Sequence, residues 1–330
     1  MGTGWRKLLV LAAGLLAAGA ARLPLEERWT AEFERAGLLQ KSLETRTRAK
    51  VGQTFYAVAL GGLRTLVATF FNLRAFGHYE DLNWDGMYET YETMFALAPR
   101  TGEYWLSGAH HQAMNAASYY RNDGFLQMSP GQREAHWRAS VLRGRDTLER
   151  GVRNVPDDSK VQGFLGYLLT DKYKYRVFGD PNETFAAAAR AYRAAAACPD
   201  ALPYLRRFEM YALARVPARR AEALELARDL YANPGNRTPT LRRVYFALQV
   251  WANPGVIDPL ALAVEVFGSE DAAYRELGDY WLRGGLHLPM DGVALVVRQI
   301  EAKRGLPDKD SVLRRESVRE AEEMQGRRDD

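Results

Sequence analysis

The chain has 330 residues, 47% of them hydrophobic and 26% charged, a balance that supports a packed core and excludes a disordered chain. Its 45 Lys and Arg stand against 41 Asp and Glu for a net charge of +4. The cations are interleaved with acids, so nucleic acid is not an expected partner, and the single Cys198 excludes both an intrachain disulfide and a four-cysteine metal site.

Arg6 and Lys7 precede an unbroken apolar run over residues 8–21, which closes on Ala18-Gly19-Ala20-Ala21 ahead of Arg22 and Pro24. That is the layout of an export signal. As a helix the run is about 21 Å long, short of the ~30 Å hydrocarbon core of a bilayer. Residues 1–21 therefore read either as a signal peptide cleaved after Ala20 or as a retained signal-anchor, lengthened by snorkelling Arg6, Lys7 and Arg22. Residues 22–50 read as a connecting helix or linker. A second apolar stretch, 51–71, carries Gln53, Gly61-Gly62 and Arg64. A charge at the bilayer centre costs at least ~2.5 kcal/mol, so this stretch reads as buried soluble helix.

From 51 to 304 apolar residues recur at three- and four-residue spacings, with no alternating run long enough for a sheet, which predicts helices throughout. Pro99, Pro156, Pro199 and Pro234 each follow an amphipathic stretch and mark its end. They lie 57, 43 and 35 residues apart. The last separation is close to the ~34-residue period of a tetratricopeptide repeat (TPR), whose second helix ends in such a proline. The excess in the longer gaps is loop-like sequence, at 121–131 and at 178–182.

Over residues 68–254 the chain thus resembles the TPR superfamily. Counting back from the prolines, the small residue expected where two helices touch falls on Ala75, Ala109 and Gly166, and in the second helices on Gly144 and Ala187. Met87 in the first unit, and Glu209 and Glu222 in the fourth, depart from that pattern. A narrower resemblance lies in Leu60-Gly61-Gly62-Leu63-Arg64, Leu73-Arg74-Ala75, Trp84, Leu97-Ala98-Pro99, Trp105 and Gly108-Ala109; it is to bacterial TPR proteins that are membrane-anchored or exported. The resemblance implies an all-α, right-handed solenoid of antiparallel helix pairs over 51–304, behind the N-terminal signal or anchor helix. It also implies a periplasmic chain, or one anchored in the membrane and facing the periplasm or exterior. Two further helices, about 270–282 and 291–303, are expected to cap the array, and residues 305–330 read as a charged, solvated tail.

No phosphate-binding loop, Gly-x-Ser-x-Gly, His-Glu-x-x-His or dinucleotide fingerprint occurs, so no catalysis and no cofactor is expected. The neighbours His110 and His111 point about 100° apart on a helix and do not readily share a metal; they read as packing or groove lining. His78, Asp81 and Asp85 have metal-like spacing, yet Asn83-Trp84-Asp85-Gly86 is where an inter-helix turn belongs, with Asp85 as its N-cap. Glu134 with His136, and Asp171 with Lys172 and Lys174, read as charged solvent-facing groups. Asn182-Glu183-Thr184 and Asn236-Arg237-Thr238 match a glycosylation acceptor, which the bacterial resemblance sets aside.

In the superfamily's geometry the first helix of each unit lines a concave groove. The resemblance places Asn72, Phe76 and Tyr79 there, then His110 and Met114, then Tyr167 and Asp171, then Arg206 and Met210, and finally Tyr245; several of these also fit an inter-repeat core, which is the better fit for Phe76 and Met210. The expected function is a scaffold or adaptor of the bacterial cell envelope, holding a protein or peptide in that groove. The membrane is a second partner if the leader is retained. The alternative is an envelope enzyme or small-ligand receptor with a pocket under the 122–133 insertion.

Overall fold

The computed structural model describes residues 64–122, 127–317 and 319–320. The leader (1–21), the connecting segment (22–50), most of the second apolar stretch (51–63), the tip of the first insertion (123–126) and the end of the tail (321–330) lie outside the described residues. The chain divides into two units, Met1–Val67 and Ala68–Asp330, and the described residues fall almost wholly in the second.

Among the described residues every regular element is helical. Helix α1 (Arg64–Glu80) runs into this unit and is followed by α2 (Trp84–Leu97) and α3 (Gly102–His110). The last continues through a π-helical turn (His111–Ala116) into α4 (Ala117–Asn122). Then come α5 (Pro130–Asn154), α6 (Ser159–Thr170), a 3-10 turn (Tyr175–Phe178), α7 (Pro181–Ala197), α8 (Tyr204–Ala214) and α9 (Arg220–Ala232). The series ends with α10 (Pro239–Ala252), α11 (Pro259–Phe267), α12 (Glu270–Arg283) and α13 (Val293–Lys303). From α2 onward each helix packs on the next, α5 lying along the whole of α3, the π turn and α4. Alternate helices also meet: α3 with α6, α8 with α10, α10 with α12, and α11 with α13.

Local chemistry explains the boundaries. Asp180, Thr238 and Asp258 each cap the first turn of a helix whose next residue is proline, where a missing N–H costs nothing. Ser129 and Gln132 form a reciprocal capping box at the start of α5. Helices α2, α5, α7 and α9 end at Leu97, Asn154, Ala197 and Ala232, each two residues before one of the four prolines that mark helix ends in the sequence. Asn83 caps α2 by accepting from Gly86 N at 2.9 Å, so Asp85 is not the cap that the sequence points to. Its carboxylate instead meets Arg143 on α5 at 2.6 Å.

Small residues set the helix spacing. A Cβ at Gly144 would lie 2.5 Å from the Ala113 methyl and 3.1 Å from the Ala109 carbonyl, and one at Gly166 would lie 2.9 Å from the Tyr192 ring. The core is continuous from Leu169 to Val312 and includes fully buried Met210, Phe246 and Leu277, each contributing roughly 1.5–3 kcal/mol of burial.

Glu209, at a position where the resemblance expects a small residue, is only 1% exposed. Its carboxylate accepts from Arg193 Nε on α7 (2.6 Å) and from Arg206 Nη1 (2.7 Å). Arg193 Nη2 reaches on to Glu222 (2.5 Å), which departs from the same pattern and also pairs with Arg219. The Arg193 hydrogen bond, with that of Arg219, holds the Glu222 carboxyl below the usual carboxylate range.

Two findings differ from the sequence reading beyond residue 254. Helix α11 is an additional element, signalled by Asp258-Pro259 before it and by Gly268, in the left-handed region, after it. The charged tail begins solvated, residues 305–310 being exposed, but burial returns at Ser311 and Val312. Buried Glu301 accepts from Tyr274 Oη (3.0 Å), Ser311 Oγ (2.6 Å) and the Val312 amide (3.0 Å), which folds residues 311–313 back onto α12 and α13. Among the described residues no helix is long and apolar enough to cross a membrane.

Candidate functional site

Helices α1, α3 and α6, with the π turn, present an unbroken ladder of rings. Phe76 stacks on Tyr79 (centroids 6.5 Å apart), Tyr79 meets His111 (5.5 Å), His111 meets His110 (6.1 Å), His110 stacks on Phe164 (6.0 Å), and Phe164 stacks on Tyr167 (5.8 Å). The ladder crosses from α1 over the junction of α3 with the π turn to α6. Its outer members stay open to solvent, Phe76 at 61%, Tyr79 at 39% and Tyr167 at 49%.

The π turn sits at the centre of this face. Ala117 N–H reaches back to the Gln112 carbonyl, five residues earlier, and the wider turn is an arrangement frequent at functional positions. His111 Nδ1 accepts from Asn115 Nδ2 at 2.9 Å, which leaves the ring's single proton on Nε2. Burial, and then the charge of His110, push His111 below its ordinary value. It is a neutral imidazole at pH 7.

Among the described residues two clefts flank the ladder. One, of about 340 Å³, is lined by Glu103, Leu106, Ser107, His110, His111 and Phe164. The larger, about 610 Å³, has Met114, Arg121, Trp137, Tyr167, Asp171 and Lys174 among its walls. Arg121 lies over the Trp137 ring at 4.6 Å, and Asp171 and Lys174 pair at 3.0 Å in a largely buried setting. Asp171 also accepts from the Tyr173 amide, fixing the turn after α6. That turn is braced from behind by buried Tyr175, whose hydroxyl accepts from Arg176 Nε (3.0 Å) and donates to His287 Nε2 (3.1 Å). Burial, reinforced by Arg215, Arg176 and Arg319, pushes His287 down to about 4. It remains neutral and can accept.

Of the sequence-derived groove residues, Tyr79, His110, Met114, Tyr167 and Asp171 are brought together here. Asn72 and Phe76 are exposed on α1. Met210 is corrected: it is fully buried and belongs to the core. Arg206 is tied to Glu209, and half-buried Tyr245 stacks on Tyr231 at 4.4 Å, outside both clefts. Phe164 and Trp137 were missed. Phe164 sits three residues before Tyr167 on one helix face, a spacing that points to it; nothing local marks Trp137, which reaches the cleft from another helix.

The remaining candidate chemistry is already engaged. His78 bonds Asn83, Glu134 pairs with Arg138, and His136 stacks on Tyr120. Among the described residues no three His, Cys, Asp or Glu side chains gather as a metal site. The Cys198 thiol is pushed up by burial and by Asp200, Asp157 and Asp158, and so stays protonated at neutral pH. What the face offers is flat aromatic surface with short polar walls, suited to gripping a chain or a small amphipathic molecule.

Comparison with known protein families finds no family model that matches this chain, and comparison with curated proteins finds no relative.

Proposed function

We propose that this chain is a TPR-like helical-repeat binding module of the bacterial envelope, which grips an extended segment of a partner protein across the ring ladder without chemistry of its own. The carrying observation is that ladder, continuous from Phe76 to Tyr167 over successive first helices. Alternate-helix contacts and the close approach at Gly144 and Gly166 support the solenoid part of the reading. The apolar run at 8–21 supports export, with the leader either cleaved or kept as an anchor.

Exposed aromatic rings dominate binding hot spots, each worth about 2 kcal/mol or more where it is centrally buried by a partner. A photo-crosslinking residue placed at Phe76 in cells should therefore capture one main partner, and Tyr79→Ala with Tyr167→Ala should reduce its yield at least about tenfold. An unchanged yield in the double variant overturns the reading.

The larger cleft supports a second reading, a receptor for a small amphipathic ligand held between Trp137, Tyr167 and the Asp171–Lys174 pair. A ligand that protects Lys174 from amine labelling in the isolated protein would favour it over the first.

A further inference from the structure

Several half-buried arginines in this fold face a carboxylate. Arg150 meets Glu92 at 2.7 Å, Arg243 meets Glu276 and Asp279 at 2.7 and 2.8 Å, Arg145 meets Glu149 at 3.6 Å and Arg220 meets Asp291 at 3.8 Å. Around the turn between α9 and α10 three half-buried arginines are held differently. Arg207 Nη1 donates to the Asn236 side chain (2.8 Å), Arg237 Nε to the Tyr231 carbonyl (2.8 Å) and Arg242 Nε to the Arg237 carbonyl (3.0 Å). All three partners are neutral oxygens.

The way these side chains are held matters as much as their charge. A guanidinium has five N–H donors in one plane. Where Nε is anchored on a carbonyl, as in Arg237 and Arg242, both terminal NH2 groups are left as a fixed fork, the geometry that takes two oxygens of one anion. Arg237 is further immobilised over the Tyr231 ring at 4.5 Å, and Tyr231 itself stacks on Tyr245. Tyr211 Oη and Thr238 Oγ1, 3.3 Å apart, add hydroxyls beside Arg207. Arg207 and Arg242 are anchored on the adjacent residues Asn236 and Arg237 of this turn, and neighbouring cations favour a multiply charged anion.

We infer that the α9–α10 turn, with Arg207, Arg237 and Arg242, is a binding site for a phosphate-type dianion, either free or carried on a partner. The site lies outside both clefts and does not rest on the groove reading.

The test is calorimetric titration of the full chain with inorganic phosphate at pH about 8, where it is a dianion, against sulfate, acetate and chloride at matched ionic strength. Saturable phosphate binding is expected, weakened about tenfold by Arg242→Gln and by Arg237→Lys, the latter keeping the charge while removing the fork. Arg275→Gln, at an exposed position on α12, should leave it unchanged. Phosphate heats equal to those of chloride, or unaltered by Arg242→Gln, overturn the proposal. Should Arg242→Gln lower the melting temperature steeply, Arg207→Lys on α8 gives the same reading from another helix. A phosphoserine peptide binding more tightly than phosphate identifies a modified partner as the source, and equal binding identifies the free anion; either result upholds the site. Tyr79→Ala with Tyr167→Ala should leave the titration untouched, which separates this proposal from the groove.

Discussion

Arg193 Nε on α7 lies 2.6 Å from Glu209 Oε1 on α8, and the same guanidinium bridges onward to Glu222 on α9. One arginine thus joins three consecutive helices at the level where the repeat pattern expects small residues to touch. Where the sequence departs most from the expected pattern, charge stands in place of close approach.

Removing Arg193 leaves the Glu209 carboxylate buried with Arg206 alone. Arg193→Ala should destabilise by about 1–3 kcal/mol, and adding Glu209→Gln should recover part of that loss by removing the buried charge. Urea unfolding of the two single variants and the double variant measures the coupling. Strictly additive losses would show that the pair contributes no specific interaction.

His287 makes stability depend on mildly acidic pH. It titrates near 4 in the fold and near about 6.5 when unfolded, so between those values the unfolded chain holds the extra proton. Its contribution is complete above about 6.5, is lost as pH falls through that window, and levels off below about 4. Melting temperatures taken across this range should show the decline, and His287→Gln should flatten it. Glu222, with a depressed pKa, acts further down: its contribution is present above the ordinary carboxylate range and lost as pH falls through and below it.

Gly144 has no room for a side chain. Gly144→Val should push α5 away from the Ala109 and Ala113 contacts and cost about 1–3 kcal/mol. Loss of the native spacing there should also disturb the π turn, read as faster amide exchange at Gln112 and Ala113. Wild-type stability in this variant would contradict the observed packing.

Glu301→Ala deletes the acceptor of three hydrogen bonds and strands the Val312 amide and the Tyr274 hydroxyl, at about 2–3 kcal/mol. The returned segment should then open, and trypsin should cut at Arg314 or Arg315 at least about tenfold faster. Equal cleavage rates would mean that Glu301 does not hold it.

Helix ends were legible because proline acts locally: the four marker prolines each stand two residues past a helix. Ala109, Gly144 and Gly166 were legible because close helix contact demands small residues at a repeating interval. Met210 was placed on the groove by that same counting, but α8 turns its side chain into the core, a rotation that period alone does not define. Asn83 and Asp85 are both good caps, and only the observed bond to Gly86 chooses between them. The Arg193 bridge, the π turn and the Tyr175–His287 bond depend on groups distant in the chain or on a local change of helical pitch. Neither leaves a mark at three- or four-residue spacing.

The bond between Tyr175 and His287 spans 112 positions. An array joined only neighbour to neighbour sheds its units one at a time from an end. Here the stretch between those two residues is tied into a ring, with Phe185 of α7 also against the imidazole at 5.2 Å. The helices from α7 to α12 cannot peel away without breaking that closure. The helices between those two residues are therefore expected to unfold together, as one melting unit.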